Sequence, residues 1–312
     1  MRYRYGVSLC ISTQVGCRMG CRFCASTLEG RVRDLTAGEM LGEILCANRF
    51  LEAESAATPS AASIPAATPS SGSTAASPSA SPSAGSTTAA SPPALATASA
   101  SAREASAPLR VSHVVLMGSG EPLDNYDEVI RFLRLLKEEE GIRLSLRNVS
   151  LSTCGIVPKM YDLAEEGLPV TLCVSLHAPT DEIRRQTMPI AYTWSIREIL
   201  EACRNYIRKT GRRVIFEYAL TEGVNASEAD ASELADRLRG MQCHVNLIPL
   251  NAVPERNLKG VSEETVRRFM QVLEDKHISV TRRREMGDDI EGACGQLRRK
   301  TINGTESGDA KV

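Results

Sequence analysis

The sequence has little of three features that would each point to a class of protein. Only 4% of its 312 residues are aromatic, and one of them is a tryptophan. Lys and Arg total 37 against 38 for Asp and Glu, so no overall basic field indicates a nucleic-acid partner. No run of eighteen apolar residues occurs, and no long apolar segment follows the charged N-terminus. We therefore expect neither a transmembrane helix nor a signal peptide.

Cysteine, in contrast, is not scarce. Ten cysteines occur, several of them in apolar runs, which suits a reducing cytoplasm better than a disulfide scaffold. We therefore expect a cytoplasmic protein.

One long segment has almost no large apolar or charged residues. Residues 53–108 consist almost wholly of Ala, Ser, Thr, Pro and Gly, a composition that predicts disorder. The segment separates a helical run, residues 36–52, from a strand-like run, residues 111–117. It is therefore interpreted as a disordered insertion in one loop. One discontinuous domain is predicted over residues 1–52 and 109–300, followed by a disordered tail over 301–312.

The remaining sequence alternates between strand and helix patterns. Strands are predicted at residues 7–11, 113–117, 149–151, 170–174, 214–218, 244–248 and 278–281. Helices are predicted after Thr36, which forms a capping box with Glu39, after Asp124, and after Ser195, Ser227 and Ser262. This alternation predicts an α/β fold with about six parallel βα units, arranged as a barrel whose site lies at the carboxyl ends of the strands.

Three cysteines lie within the eight residues CRMGCRFC, residues 17–24, at the spacing C-x3-C-x2-C. Zinc sites use paired C-x2-C knuckles and close with four ligands, and no second pair lies nearby. An iron–sulfur cluster normally takes four thiolates. Three would leave one iron open to a substrate or cofactor. Three unrelated cysteines at this spacing are the weaker interpretation.

The flanking motifs resemble those of a known family. Together with SLCISTQVGC at 8–17, the sequence has GSGEPL at 118–123, LST at 151–153, SLHA at 175–178, NLIPLN at 246–251 and GDDIEGACGQL at 287–297. In this order they resemble the RlmN/Cfr family of radical S-adenosylmethionine (SAM) methyltransferases. The resemblance implies an incomplete, TIM-like (βα)6 radical SAM barrel.

The resemblance also implies roles for individual residues. Cys17, Cys21 and Cys24 would hold a [4Fe-4S] cluster. SAM would be bound by Gly120, Glu121, Ser152, Ser175, Leu176, His177 and Asn251. Phe23 is interpreted either as a shield of the cluster or as a packing residue. Cys46, Cys154, Cys173, Cys203 and Cys243 match no catalytic position and are interpreted as packing residues.

The implied reaction uses two further cysteines. Cys294 would accept a methyl group from a first SAM. A 5′-deoxyadenosyl radical from a second SAM would take hydrogen from that methyl group. The methylene would add to C2 of an adenine in large-subunit ribosomal RNA, and in tRNA as a further substrate, and Cys10 would release the product. An electron donor such as flavodoxin or ferredoxin, no membrane and a monomeric state are also implied.

Basic residues bracket Cys294 in the sequence. Arg282, Arg283 and Arg284 precede its loop, and Arg298, Arg299 and Lys300 follow it. They are interpreted either as phosphate contacts or as solvated surface residues.

The sequence departs from the family pattern at its start. Family members carry an N-terminal RNA-binding region, and a glutamate thought to act as a base lies before the equivalent of Tyr3. This sequence begins after both, and one interpretation is that Met1 is an internal methionine of a longer gene. Two alternatives follow from the sequence: a C8-methylating enzyme of the antibiotic-resistance type, and an inactive iron–sulfur or SAM-binding module.

Overall fold

The computed structural model describes residues 2–3, 6–57, 109–248, 250 and 256–283 of the chain. Cys294, Asn251, Arg284 and the basic residues 298–300 lie outside the described residues, as do residues 58–108 of the insertion and the 301–312 tail. In the part of the chain that is described, no helix is both long and apolar enough to cross a membrane.

Ten strands and seven α-helices form the described fold. The strands are β1 (Arg2–Tyr3), β2 (Gly6–Cys10), β3 (Gln14–Gly16), β4 (Arg31–Asp34), β5 (Val111–Leu116), β6 (Val149–Thr153), β7 (Thr171–Ser175), β8 (Val214–Ala219), β9 (Cys243–Ile248) and β10 (Val280–Arg282). The helices are α1 (Ala37–Ala57), α2 (Tyr126–Leu136), α3 (Val157–Glu165), α4 (Asp181–Thr187), α5 (Ile196–Thr210), α6 (Glu228–Leu238) and α7 (Glu263–Asp275).

The main sheet is a curled half-barrel with the strand order β1-β2-β5-β6-β7-β8-β9-β10. The pairs from β2 to β10 are all parallel, and only β1 runs antiparallel to its neighbour β2. Because parallel neighbours follow chain order, the helices between them return the chain across one face. The carboxyl ends of these strands therefore meet at one edge, as the sequence predicted.

Apolar residues on the strands and helices explain the packing of this sheet. Val114, Val149, Leu151 and Val174 have no exposed surface, and they belong to one continuous core with the apolar faces of the helices. The β-branched residues suit a buried parallel sheet, which is covered rather than alternately exposed.

The helix starts predicted from serine are confirmed. Ser195 and Ser227 each form a reciprocal capping box with the acidic residue three positions on, and the Ser262 hydroxyl accepts a hydrogen bond from the Thr265 N–H. The predicted box of Thr36 and Glu39 is also present, with the Glu39 N–H 3.2 Å from the Thr36 hydroxyl. Local hydrogen bonding at these positions determines where each helix begins.

Two predictions about element boundaries were wrong. Asp124 does not cap α2: Asn125 takes the N-cap position, and the Asp124 carboxylate instead accepts a hydrogen bond from Gln14. Helix α1 also continues to Ala57, five residues into the segment assigned to the insertion. Alanine and glutamate at its end are good helix formers, so the helix stops later than the change in composition.

Candidate active site

A cavity opens at the carboxyl ends of the strands. It contains about 910 Å³ of space, part of it open to solvent. Its walls include the three cysteines of the C-x3-C-x2-C motif and five of the seven residues expected to bind SAM: Cys17, Cys21, Cys24, Gly120, Glu121, Ser152, Ser175 and His177. Residues far apart in the sequence thus converge on one site, as barrel topology predicts.

The cysteine loop extends from a small hairpin of β3 and β4. Gly16 and Gly20 within it have φ angles of 75° and 72°, which side chains rarely allow. A Cβ atom on Gly16 would lie 2.0 Å from the Gly30 carbonyl oxygen, so the hairpin closes only with glycine there. Glycine at these two positions therefore allows the tight turn of the cysteine loop.

The donor set fits an iron–sulfur cluster. Burial raises the pKa of the Cys17 thiol to about 12, and the nearby charges of Glu121 and Cys24 add to the rise. Burial also raises the pKa of the Cys21 thiol, with further contributions from Cys24 and Cys17. Three thiolates that repel one another in a buried site are stabilised when they ligate iron.

The three thiols are not arranged around a single point. Within the described ranges, no three His, Cys, Asp or Glu side chains converge closely enough to hold one metal ion. A four-iron cluster carries its irons at separate corners, so its cysteine ligands need a wider spacing than those of one ion.

Glu121 is held rigidly at the cavity wall. Its side chain is 4% exposed and accepts hydrogen bonds from the Leu123 N–H at 3.1 Å and the Cys154 N–H at 2.7 Å. Burial raises the pKa of this carboxyl group, while the bonds from backbone N–H groups oppose the rise. The carboxylate also accepts hydrogen bonds from the Thr153 and Cys154 side chains, and its negative charge would attract an ammonium group in the cavity.

Gln14, which was not predicted as a site residue, joins the cysteine hairpin to the Glu121 turn. Its side-chain oxygen accepts the Glu121 N–H at 2.9 Å, and its amide group donates to Asp34 and Asp124 at 2.7 and 3.0 Å. Gln14 is 1% exposed. A glutamine directly before a cysteine motif carries no local signal, because its partners lie 20 and about 110 positions away.

His177 has its tautomer fixed by the backbone. The Ala219 N–H donates to its Nδ1 at 2.9 Å. Burial and the positive charge of Arg184 lower its pKa to about 3, so the ring is neutral at pH 7. The proton must then reside on Nε2, which can donate to a ligand. Phe23 packs edge-on against this ring at a centroid distance of 4.6 Å, so Phe23 both packs and lines the cavity.

A fully buried arginine supports the strand ends behind this wall. Arg184 donates to the carbonyl oxygens of Leu176, Cys154 and Ser175 at 3.1, 2.6 and 3.2 Å, and it has no exposed surface. These bonds tie together the carboxyl ends of β6 and β7. Its Nη1 atom has no hydrogen-bond partner among the described residues.

Glu217 is a second site residue that was not predicted from the sequence. It lines the cavity from β8 and is 2% exposed. Its Oε1 accepts a hydrogen bond from Asn246 at 3.3 Å, whereas Oε2 has no partner in the described structure. A single glutamate inside the otherwise apolar strand VIFEYA was the available signal, since buried carboxylates are rare without a function.

Three of the other residues considered in the sequence lie outside the cavity lining, and one lies in it. The Leu176 side chain belongs to the apolar core and does not line the cavity. Cys10 ends β2 and is half-buried, outside the cavity lining. Arg283 lines the cavity and donates to the Met117 sulfur at 3.4 Å, while Arg282 pairs with Glu263.

The interpretation of five cysteines as packing residues needs one correction. Cys46 is exposed on α1, so it does not pack. Cys154 packs as expected in a small buried cluster with Cys21 and Met188, and it also lines the cavity. Cys173 and Cys203 are buried as expected.

Comparisons with known proteins agree with this geometry. The radical SAM superfamily model matches residues 94–235. A protein from Clostridium botulinum named as a probable dual-specificity RNA methyltransferase RlmN is 45% identical over 307 residues, covering 98% of this chain and 72% of the relative. One of the same name from Lachnospira eligens is 45% identical over 309 residues, covering 99% of this chain and 72% of the relative.

Solved structures of radical SAM proteins are also similar to this chain. The crystal structure of a radical SAM methyltransferase from Sphaerobacter thermophilus superposes with a TM-score of 0.76 at 38% identity, covering 96% of this chain and 72% of that one. Streptococcus suis SuiB bound to S-adenosylmethionine shares the fold, with a TM-score of 0.56 at 12% identity over 92% of this chain and 55% of that one. The fold and the cysteine loop define a radical SAM enzyme, and the chain belongs to the RlmN family of radical SAM RNA methyltransferases.

Proposed function

We propose that this enzyme methylates C2 of an adenine in large-subunit ribosomal RNA, and also in tRNA, through an S-methylcysteine at Cys294. The observation that carries the proposal is the convergence of Cys17, Cys21 and Cys24 with Gly120, Glu121 and His177 around one cavity. That arrangement supports a cluster and SAM side by side. A cluster bound there with SAM would supply a radical able to remove hydrogen from an unactivated carbon.

The described residues would bind and orient SAM. Glu121 and the Gly120 carbonyl would accept hydrogen bonds from its ammonium group, since both are acceptors at the cavity wall. Ser152 and Ser175 offer hydroxyl groups further round the same wall, and His177 offers its Nε2 proton. The rigid bonding of Glu121 and the fixed tautomer of His177 would keep these groups in place without reorganisation.

The two mechanistic cysteines would act in turn. The Cys294 thiolate first takes a methyl group from SAM by displacement, with S-adenosylhomocysteine as the leaving group. The radical that SAM cleavage would supply takes one hydrogen atom from that methyl group, and the methylene carbon left behind bonds to adenine C2. The adduct would return its unpaired electron to the oxidised cluster and lose its C2 proton, which leaves a thioether between Cys294 and the RNA. The Cys10 thiolate then attacks the Cys294 sulfur, which forms a disulfide and breaks the bond between that sulfur and the carbon held by the RNA. That carbon takes a proton to become the methyl group, and an external reductant restores the two thiols. Thiolates are required at both positions, and the adenine C2 proton must be removed.

The test compares variants of the two cysteines after incubation with RNA, SAM and a low-potential reductant. Cys10→Ala keeps the acceptor but has no resolving thiol, so protein should accumulate covalently on RNA. Cys294→Ala and the double variant should give none. A denaturing gel resolves the RNA-shifted protein, and Cys203→Ala, at a buried packing cysteine, is the matched control.

If Cys294→Ala gave as much RNA-bound protein as Cys10→Ala, another residue would have to carry the methyl group. Mass spectrometry of the modified nucleoside distinguishes C2 from C8 methylation. An inactive SAM-binding module would give neither adduct nor methylated RNA while still binding SAM.

A further inference from the structure

We infer that Tyr192, Arg185 and Arg22 form a platform on which an unpaired nucleotide of the RNA substrate stacks beside the cavity. The inference rests on the proposed function in that it takes RNA as the substrate. It adds an interaction surface formed by three residues to which no role was assigned above.

The platform lies at the rim of the cavity. Tyr192 ends a short 3₁₀ helix, Pro189–Tyr192, and Met188 immediately before that helix lines the cavity. The cysteine loop packs on the same segment: the Arg22 N–H donates to the Thr187 carbonyl at 2.8 Å. A Cβ atom on Gly20 would lie 3.2 Å from the Pro189 ring. An RNA reaching the cavity therefore passes close to this segment.

Tyr192 is unusually exposed for an aromatic residue. Its exposed fraction is 76%, the highest among the large hydrophobic side chains of the described residues. A single exposed apolar side chain is common and needs no explanation by itself. What distinguishes Tyr192 is its surroundings, because the Arg185 guanidinium lies 5.9 Å from the centre of its ring. An aromatic ring beside a guanidinium is the combination that binds bases and phosphates together.

The two arginines remain available to phosphate. Arg185 has Glu182 as a partner at 3.9 Å, and that carboxylate side chain is 78% exposed. An ion pair this exposed and this long contributes little to stability, so a phosphate can displace the carboxylate. Arg22 is exposed and donates to the Gln186 carbonyl at 3.2 Å, which leaves further donors on its guanidinium.

The chemistry of the reaction gives such a platform a purpose. An adenine can reach a buried cavity only after it leaves its stack, and its neighbours then lose a stacking partner. An aromatic ring at the rim replaces that partner without selecting a base. An acidic electron-carrier protein could also use the arginines, but it would not need an exposed aromatic ring at the point where the RNA enters.

The test measures RNA affinity by fluorescence anisotropy with a labelled RNA stem–loop that contains an unpaired adenine. Tyr192→Ala should weaken binding by about 5- to 150-fold, the effect of losing one base stack, and Tyr192→Phe should retain most of the affinity. Arg185→Gln should weaken binding and reduce the slope of log affinity against log salt by about 0.7. Tyr192→Ala should leave that slope unchanged.

Two matched controls identify general damage. Tyr161→Ala removes another exposed tyrosine, on α3, and Arg208→Gln removes an exposed arginine at the far end of α5; both should leave RNA affinity unchanged. Iron content and S-adenosylhomocysteine affinity should be the same in every variant.

The outcomes separate the inference from the proposed function. Failure of the wild type to methylate RNA would contradict the proposed function itself. Methylation by the wild type together with unchanged RNA affinity in Tyr192→Ala would overturn the platform. If these variants instead slowed reduction of the cluster by an acidic electron carrier and left RNA affinity unchanged, the surface would be assigned to that carrier.

Discussion

His177 shows how a single residue can be fixed by groups that are remote in sequence. The Ala219 N–H sets its tautomer, and the Asn225 side-chain amide donates to its carbonyl at 2.7 Å. Its backbone has a φ of 53°, a left-handed conformation that is uncommon outside glycine. The motif predicted that His177 faces the cavity, but not which ring nitrogen carries the proton. That information depends on the pairing of β7 with β8.

The lowered pKa of His177 predicts a pH-dependent stability. Its pKa in the folded protein is about 3 against an ordinary value of 6.5. Between these values the unfolded chain binds the extra proton, so this contribution to stability is complete above pH 6.5 and is lost as pH falls toward 3. Lowering the pH from 7 to 5 should cost about 2 kcal/mol through this residue.

The check is urea unfolding of the cluster-free protein at both pH values. His177→Gln should lose about 2 kcal/mol less than the wild type between pH 7 and pH 5. His277→Gln is the matched control, because His277 is exposed and shares the left-handed backbone, with a φ of 60°. It should keep the wild-type pH dependence. Identical pH dependence in wild type and His177→Gln would contradict the account of a neutral, buried ring.

At the scale of single elements, α1 shows where composition misleads. The helix continues through Ala57, although Ala- and Ser-rich sequence begins at about residue 53. Its final turns are anchored by tertiary contacts: Leu51 is 6% exposed, and the Asn48 side chain accepts the Val111 N–H at 2.8 Å. Composition alone could not reveal that β5 holds this end of the helix.

This anchoring predicts how far the insertion can be shortened. Replacing residues 60–106 by a short Gly/Ser linker should change the melting temperature by less than about 2 °C, because loop closure depends weakly on length. Removing residues 48–57 as well should clearly lower the melting temperature, because the buried Leu51 side chain and the Asn48 hydrogen bond are lost. Differential scanning calorimetry measures both. A large loss from the linker replacement would show that residues 60–106 contribute to the core.

Elements with local signals were predicted well, and elements with distant partners were not. Serine caps gave the starts of α5, α6 and α7, because cap and helix lie within four residues. The β3–β4 hairpin was missed, since its strands are three and four residues long and enclose a fourteen-residue cysteine loop. Asp124 was misassigned as a cap because its partners are Gln14 and Arg18, over a hundred positions away.

For the molecule as a whole, the alternation of strands and helices predicted a parallel βα barrel and the face that carries the site, and the family resemblance predicted that the barrel is incomplete. The motifs after β5, β6 and β7 supplied five of the residues that line the cavity. The hydrogen bonds of Gln14, Arg184 and Glu217 could not be predicted, because each depends on which strands become neighbours. Sequence patterns thus located the reactive groups, whereas the residues that hold them in place required the structure.

The central claim is that the methyl group passes through Cys294 before it reaches adenine C2. The most direct test supplies the wild-type enzyme with RNA, a low-potential reductant and SAM whose transferable methyl group carries three deuterium atoms. Mass spectrometry then counts deuterium in the methylated adenosine and in the released 5′-deoxyadenosine. We predict two deuterium atoms in a methyl group at C2 and one in 5′-deoxyadenosine. Three deuterium atoms on the RNA, or a methyl group at another position, would contradict the claim.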